Sequence, residues 1–186
     1  AERIPLAELE SYLYRSADIL RTHVDAADYK RYVFPLLFFK RICDVYDEET
    51  DSQKEKLGES FSFYPETTLH AFLVPSGHHW NDVRNTSENI GVAIINAFRA
   101  VEDANGSVLQ GVFGQAAWSN KSRLPDETLK NLIEHFSSRK LTIASCPEDE
   151  LGQAYEYLIK KFSDDSGHTS QEFYTNRTVV QLMTEM

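Results

Sequence analysis

The sequence predicts a mainly α fold, an irregular helical bundle with at most a few short extended segments. Three observations predict it. Apolar residues recur at three- and four-residue steps in six separate stretches, which is the spacing that lines one face of an α-helix. Those stretches are bounded by Pro, acidic residues, Asn and Gly at places where helices start and stop. Hydrophobic residues at 41% and charged residues at 26% of 186 residues describe an ordinary soluble globular chain, long enough for one domain with a real core or for one domain and part of another.

The first helix is expected over Leu6–Arg21, where Leu6, Leu9, Leu13, Ala17 and Leu20 share a face. Thr22–Asp25 breaks it, and Asp25 or Asp28 can cap the next. Tyr29–Tyr46 is the most apolar segment, with Tyr29, Tyr32, Val33, Leu36, Leu37, Ile42 and Val45 on a broad face, so it belongs near the centre of the bundle. Pro35 inside it removes a backbone donor and is expected to kink or open the helix locally. The acidic run Asp47–Asp51 reads as an exposed end or loop, and Ser52–Glu59 as a short charged helix.

Phe61–Asp82 is irregular, with a short extended piece at Phe72–Pro75. His78-His79-Trp80 invites a metal or nucleic-acid reading, but adjacent histidines lack the i, i+4 ligand spacing and no nearby Cys completes a set. Packing is the preferred reading there. Asn89–Asn105 is a helix with Ile90, Ile94, Ala97, Phe98 and Val101 inward, stopped at Asn105-Gly106. Leu109–Trp118 is a loop with apolar anchors. Pro125-Asp126-Glu127 opens a helix carrying Leu129, Leu132, Ile133 and Phe136. Leu141–Ile143 reads as a short extended link. Pro147–Glu150 opens a helix with Leu151, Tyr155, Leu158, Ile159 and Phe162 on one face. The polar, turn-rich stretch Asp164–Ser170 marks a domain boundary, giving a helical domain over 1–165 and the start of a second domain over 166–186.

No apolar run is long enough to span a bilayer, and the first residues do not read as a secretory signal. Cys43 and Cys146 share no metal-type spacing and fit two reduced, buried thiols of a cytoplasmic protein. The formal net charge of -10 argues against autonomous nonspecific DNA binding, which relies on Lys and Arg neutralising phosphates. The basic pairs Lys30-Arg31, Lys40-Arg41, Arg139-Lys140 and Lys160-Lys161 read as solvated helix edges. Glu48-Glu49 and Asp164-Asp165 read as solvated carboxylates with no reason to gain a general acid's raised pKa. Asp165, Ser166 and His168 lie too close together in a loop to make a nucleophile triad. His23, Asp25 and Asp28 are better explained by turn and cap chemistry. No catalytic residue and no metal site is expected.

The stretch Glu172-Phe173-Tyr174-Thr175-Asn176-Arg177 stands apart. After it, Val179, Leu182, Met183 and Met186 fall at i, i+3, i+4 and i+7, and Thr175 reads as the N-cap of that helix. A helix start offers free N–H groups and partial positive charge to an anionic group. On spacing alone, a capped helix after a loop suffices.

Two parts of the chain resemble one family. Leu151-Gly152…Tyr155-Glu156-Tyr157-Leu158 followed by Glu172-Phe173-Tyr174-Thr175…Arg177…Val179-Val180 resembles the junction segment of the modification (M) subunit of type I restriction–modification systems. In that family a Gly-(Glu/Gln)-Phe-(Tyr/Phe)-Thr-Pro-Arg segment opens the adenine-N6 methyltransferase domain and lines its S-adenosylmethionine pocket. Gln171 stands here where the family has Gly, and Asn176 where it has Pro. Asp25–Lys30 with Leu36–Asp44 resembles the same subunit's N-terminal helical domain, and Asn105–Val112 its Asn-x-x-Leu-x-Gly-Val pattern with one extra residue.

The resemblance implies that Glu172, Phe173, Tyr174, Thr175, Asn176 and Arg177 contact S-adenosylmethionine once the following sheet is present. It implies a site-specific, adenine-specific DNA methyltransferase as the parent enzyme. Its partners would be a specificity (S) subunit, a second M subunit, a restriction (R) subunit and double-stranded DNA. The role implied for the helical domain is assembly and enclosure of DNA. The family's catalytic Asn-Pro-Pro-(Phe/Tyr) motif, which holds a flipped adenine, is absent from these residues, so they are expected to be inactive alone. A free-standing helical interaction protein is the alternative.

Overall fold

The computed structural model describes residues 2–167. Over that range it is all-helical, with seven α-helices and no strand among the described residues. They are α1 (Leu6–Leu20), α2 (Lys30–Leu57), α3 (Glu66–Leu69), α4 (Trp80–Arg84), α5 (Ile90–Asn105), α6 (Asp126–Ser137) and α7 (Glu148–Ser166). Single 3-10 turns lie at Ala26–Asp28, Gly58–Phe63 and Gly106–Val108. The mainly α expectation therefore holds, and α1, α5, α6 and α7 begin within a residue of the starts expected at Leu6, Asn89, Pro125 and Pro147.

Prolines set most of the starts. Pro5, Pro65, Pro125 and Pro147 each occupy the N-cap position with extended backbone. Each disfavours helical geometry at the residue before it and ends any preceding turn. The α5 start works differently. Asn89 has φ 55 and supplies no cap from its own side chain. Instead the Asp126 carboxylate, from the first turn of α6, accepts the N–H groups of Asn89 and Ile90 at 2.9 and 3.1 Å. One acidic side chain thus satisfies two donors at the head of another helix.

α2 is the axis of the bundle. From Tyr32 to Val45 every residue is buried, so this helix is surrounded rather than laid on a surface. Aromatic rings knit it to its neighbours. Phe34 meets Tyr155 and Phe162 of α7 at 4.4 and 5.9 Å between centroids, and Phe39 meets Trp80, Phe98 and Phe113. α1 packs chiefly on α7 and α6, with the buried Tyr12 hydroxyl donating to the Phe136 carbonyl at 2.8 Å.

Five expectations change. α2 is unbroken through Pro35, where close packing of Tyr32, Phe34 and Phe38 holds the helix despite the missing donor. It also runs on through Asp47–Asp51 to Leu57, because that acidic run finds partners on other elements instead of ending the helix. Phe72–Val74 forms no strand; the Leu73 amide and carbonyl exchange bonds of 2.8 and 2.9 Å with the Asn105 side chain, which stands in for a strand partner. Leu141–Ile143 likewise forms no strand and leads into a turn at 143–145. At the far end Asp164–Ser166 completes α7 instead of forming a loop, and the helix stops at Gly167 with φ 70, the left-handed conformation suited to glycine.

Candidate functional site

The cofactor segment read from the sequence, Glu172, Phe173, Tyr174, Thr175, Asn176 and Arg177, lies outside the described residues, as does His168. What the described residues hold is the helix that leads to it, α7, and the polar clasp that fixes where α7 begins.

The clasp is built from one face of α2 and the connection 138–147 between α6 and α7. Arg41 is fully buried. Its Nη1 donates to the carbonyls of Leu141 at 2.7 Å and Cys146 at 2.9 Å. Asp44, also buried, accepts the Leu141 N–H at 2.7 Å and pairs with Lys40 one helical turn back. Glu48 spans two successive amides, with Oε2 on Ile143 N–H at 2.7 Å and Oε1 on Ala144 N–H at 3.1 Å. Residues 41, 44 and 48 share one face at three- and four-residue steps. Within the turn, Thr142 and Ser145 exchange side-chain and backbone bonds, and Ser145 O accepts the Ile4 N–H at 2.8 Å. This connection therefore has its backbone groups paired from below by α2 and from the side by the N-terminal segment.

A second layer flanks the clasp where α2, the head of α4 and Lys140 meet in a shallow cleft. His79 Nδ1 accepts the Asn81 N–H at the head of α4, and Asp82 Oδ2 accepts the His79 N–H in return. Its Nε2 lies 3.0 Å from Asp47 Oδ1, in the geometry of a charge contact more than a directed hydrogen bond. Lys140 sits 3.6 Å from Asp47 and 3.7 Å from Asp44. Trp80 Nε1 donates to Ser137 Oγ at 2.9 Å, and Lys40 Nζ lies 5.6 Å from the Trp80 ring centroid.

These environments move the ionisations. Burial pushes Lys40 down, against the opposing pull of Asp44. Burial also lowers Arg41. For His79 burial works against the charged ring, but Asp47 outweighs it and holds the pKa above the ordinary histidine value. For Asp47 burial is opposed and outweighed by His79 and Lys140, so its pKa lies below the usual carboxylate value. Burial pushes the Cys146 thiol up to about 11 and Cys43 higher still, so both are inert thiols.

The cluster positions backbone; it presents no nucleophile with a base beside it. No group of His, Cys, Asp and Glu among the described residues is arranged to hold a metal ion. His79 and Trp80 are packing and capping residues, as preferred from the sequence. Asp165 accepts from the Tyr14 hydroxyl at 2.8 Å, and Ser166 Oγ donates to the Ser163 carbonyl, so neither faces the other as a triad would. Asp28 pairs with Arg123 and Arg31. Two expectations are corrected. Lys40 and Arg41 are not a solvated helix edge but are buried, and Glu48 and Glu49 are not solvated carboxylates but half-buried ones that hold the amides of Ile143, Ala144 and Ala71, with burial raising the pKa of Glu49 above the ordinary carboxylate value. The signal available beforehand was the i, i+4 pair of Lys40 with Asp44 inside the most apolar segment, where charges need partners. No helix among the described residues is long and apolar enough to cross a membrane.

Comparison with known proteins gives a consistent result. The profile of the HsdM N-terminal domain family matches residues 9–136, and that of the N-6 DNA Methylase family matches residues 147–186. The chain is 25% identical over 197 residues to the type I restriction enzyme MjaIX methylase subunit of Methanocaldococcus jannaschii, covering 96% of this chain and 35% of that protein. It is 32% identical over 109 residues to the type I restriction enzyme HindI methylase subunit of Haemophilus influenzae, covering 52% of this chain and 23% of that protein. The chain thus spans about a third or less of the length of these relatives. Its fold matches the crystal structure of a type I restriction-modification system methyltransferase subunit from Streptococcus thermophilus with a TM-score of 0.70 at 23% identity, over 97% of this chain and 43% of that one.

Proposed function

Because this chain belongs to the HsdM N-terminal domain family, we propose that it is the front part of a type I restriction–modification DNA adenine-N6 methyltransferase subunit. The observation that carries this reading is the tandem order of the two family matches, 9–136 and then 147–186, on a single chain. The clasp lies between them, at 138–147. Its structural logic fits a part that must hold the entry to a catalytic domain in one orientation.

In this reading the helical part serves assembly with a specificity subunit and a second M subunit, with or without a restriction subunit, and helps enclose double-stranded DNA in the cytoplasm. A net charge of -10 on these 186 residues leaves most of the positive charge that DNA demands to the rest of the subunit and its partners. In this reading the division from the catalytic domain falls at 165/166, at the end of α7, and the packing of α7 along α1 supports counting that helix with the helical part. Glu172–Arg177 then contribute to binding S-adenosylmethionine, and residues beyond Met186 supply the methyl-transfer chemistry.

Reading the gene onward from the codon for Met186 tests the proposal. A strand, a Gly-rich turn and then Asn-Pro-Pro-Phe or Asn-Pro-Pro-Tyr are expected. A stop codon at or near Met186 would leave a free-standing interaction domain. For the cofactor segment, the intact subunit carrying Tyr174→Ala and Thr175→Ala is expected to lose affinity for S-adenosylmethionine by equilibrium dialysis. Full affinity would remove these residues from the site.

A further inference from the structure

The far end of α2 is built as an arm with an apolar tip. Burial along α2 stops at Val45. The next twelve residues, to Leu57, extend about 18 Å at 1.5 Å per residue and are half-buried or exposed. The chain then turns at Gly58 and returns through the 3-10 turn and α3. The base of the arm is stitched. Tyr46 stacks on His70 at 3.9 Å, Thr50 Oγ1 bonds His70 Nε2 at 2.8 Å, and Glu49 accepts the Ala71 N–H at 3.1 Å. The tip is bare. Phe63 is 84% exposed and Tyr64 50%, the two most exposed aromatics among the described residues.

A stitched base with a bare aromatic tip is a preorganised contact. It places large apolar area without a further ordering cost on binding, and aromatic anchors of this kind dominate interface energies. Phe34, near the start of α2, packs on Phe162 at the end of α7, so the chain leaves Gly167 at the end of α2 opposite the tip. From residue 34 to residue 57 that separation is about 35 Å of helix. The charges around the tip decide between partner classes. Asp51, Glu55, Glu59 and Glu66 outnumber Lys54 and Lys56, and all six are exposed. An acidic rim repels a phosphate backbone and suits a protein surface with a basic rim.

We propose that Phe63 and Tyr64 insert into an apolar pocket with a basic rim on the specificity subunit, so that the arm is a docking element of the assembly. This rests on the proposed function above. The test uses the intact subunit and the purified specificity subunit, with affinity read by fluorescence anisotropy. Phe63→Ser with Tyr64→Ser is expected to weaken binding about tenfold or more, and Glu59→Lys with Glu66→Lys to weaken it as well. Phe63→Leu is expected to retain most of it. The thermal midpoint should not move, because both aromatics are exposed. Unchanged affinity in the double variants, with normal assembly of the wild type, overturns the docking role alone. Failure of the wild type to bind overturns the proposed function and the docking role together. Concentration-dependent self-association abolished by Phe63→Ser would assign the tip to a second copy. Tighter binding of bare duplex DNA by Glu59→Lys with Glu66→Lys, lost on removing Phe63, would assign it to DNA; either result overturns the proposal.

Discussion

Arg41 Nη1 donates at 2.9 Å to the carbonyl of Cys146, 105 residues further along the chain and immediately before the Pro147 that opens α7. A residue at the centre of the bundle thereby sets the start of the last helix. Arg41→Met keeps much of the volume but removes both carbonyl contacts and leaves the oxygens of Leu141 and Cys146 without this donor. The expected loss is about 3 kcal/mol, read as a lower midpoint in urea. Arg41→Lys should recover little, because an ammonium cannot reproduce the planar guanidinium's placement of its donors.

Gly91 is fixed by a neighbour and not by its own backbone angles. A Cβ at that position would lie 2.0 Å from the Trp118 carbonyl oxygen and 2.6 Å from its carbon. The first turn of α5 rests directly on the backbone of the 109–118 loop. Gly91→Ala is therefore expected to destabilise by about 3 kcal/mol, although alanine is the better helix former. Gly152, with open space around it, is the control: Gly152→Ala should stabilise by about 1 kcal/mol. Thermal unfolding of the two variants should move in opposite directions.

The Glu48 contacts give a local prediction. Glu48→Gln replaces one acceptor oxygen by a donor, so one of the Ile143 and Ala144 amides must lose its partner. Hydrogen exchange at these two amides should quicken about tenfold, the equivalent of about 1.4 kcal/mol of local protection. Amides in the middle of α5 should be unaffected, since they share no partner with Glu48.

The helices were legible because each hides an apolar stripe whose period survives in the sequence, as in Leu129, Leu132, Ile133 and Phe136 of α6. The clasp was not. Lys40, Arg41, Asp44 and Glu48 look like surface charges until α2 is seen to be enclosed, and Arg41, Asp44 and Glu48 find backbone partners 95 or more residues away. Backbone groups carry no side-chain signature, so nothing in residues 138–147 announces what holds them. The same blindness ends the helix at Tyr46, two residues short of the Glu48 that secures the connection. Asn105 was read as a helix stop; its second task, pairing both backbone groups of Leu73, is invisible without the fold.

The pH dependence follows from His79 and Asp47, with Lys140 and Asp44 facing the same cleft. The folded pKa of His79 is raised, so its contribution is fully present below the unfolded histidine value, about 6.5, and is lost as pH rises through the folded pKa. The folded pKa of Asp47 is lowered, so its contribution is present above the unfolded carboxylate value, about 3.9, and is lost as pH falls through the folded pKa. The pair is therefore strongest between those limits. Side-chain exposures of 20% and 39% admit screening, which limits the pair to about 0.5 kcal/mol. His79→Asn retains a cap for α4 but removes the charge. Urea midpoints of wild type and variant should differ most near pH 5.5 and converge toward pH 8.5. Asp47→Asn should show the same convergence at high pH with a smaller residue of Lys140 attraction lost throughout. A difference that stays constant across this range would remove the His79–Asp47 charge pair as the source of pH dependence.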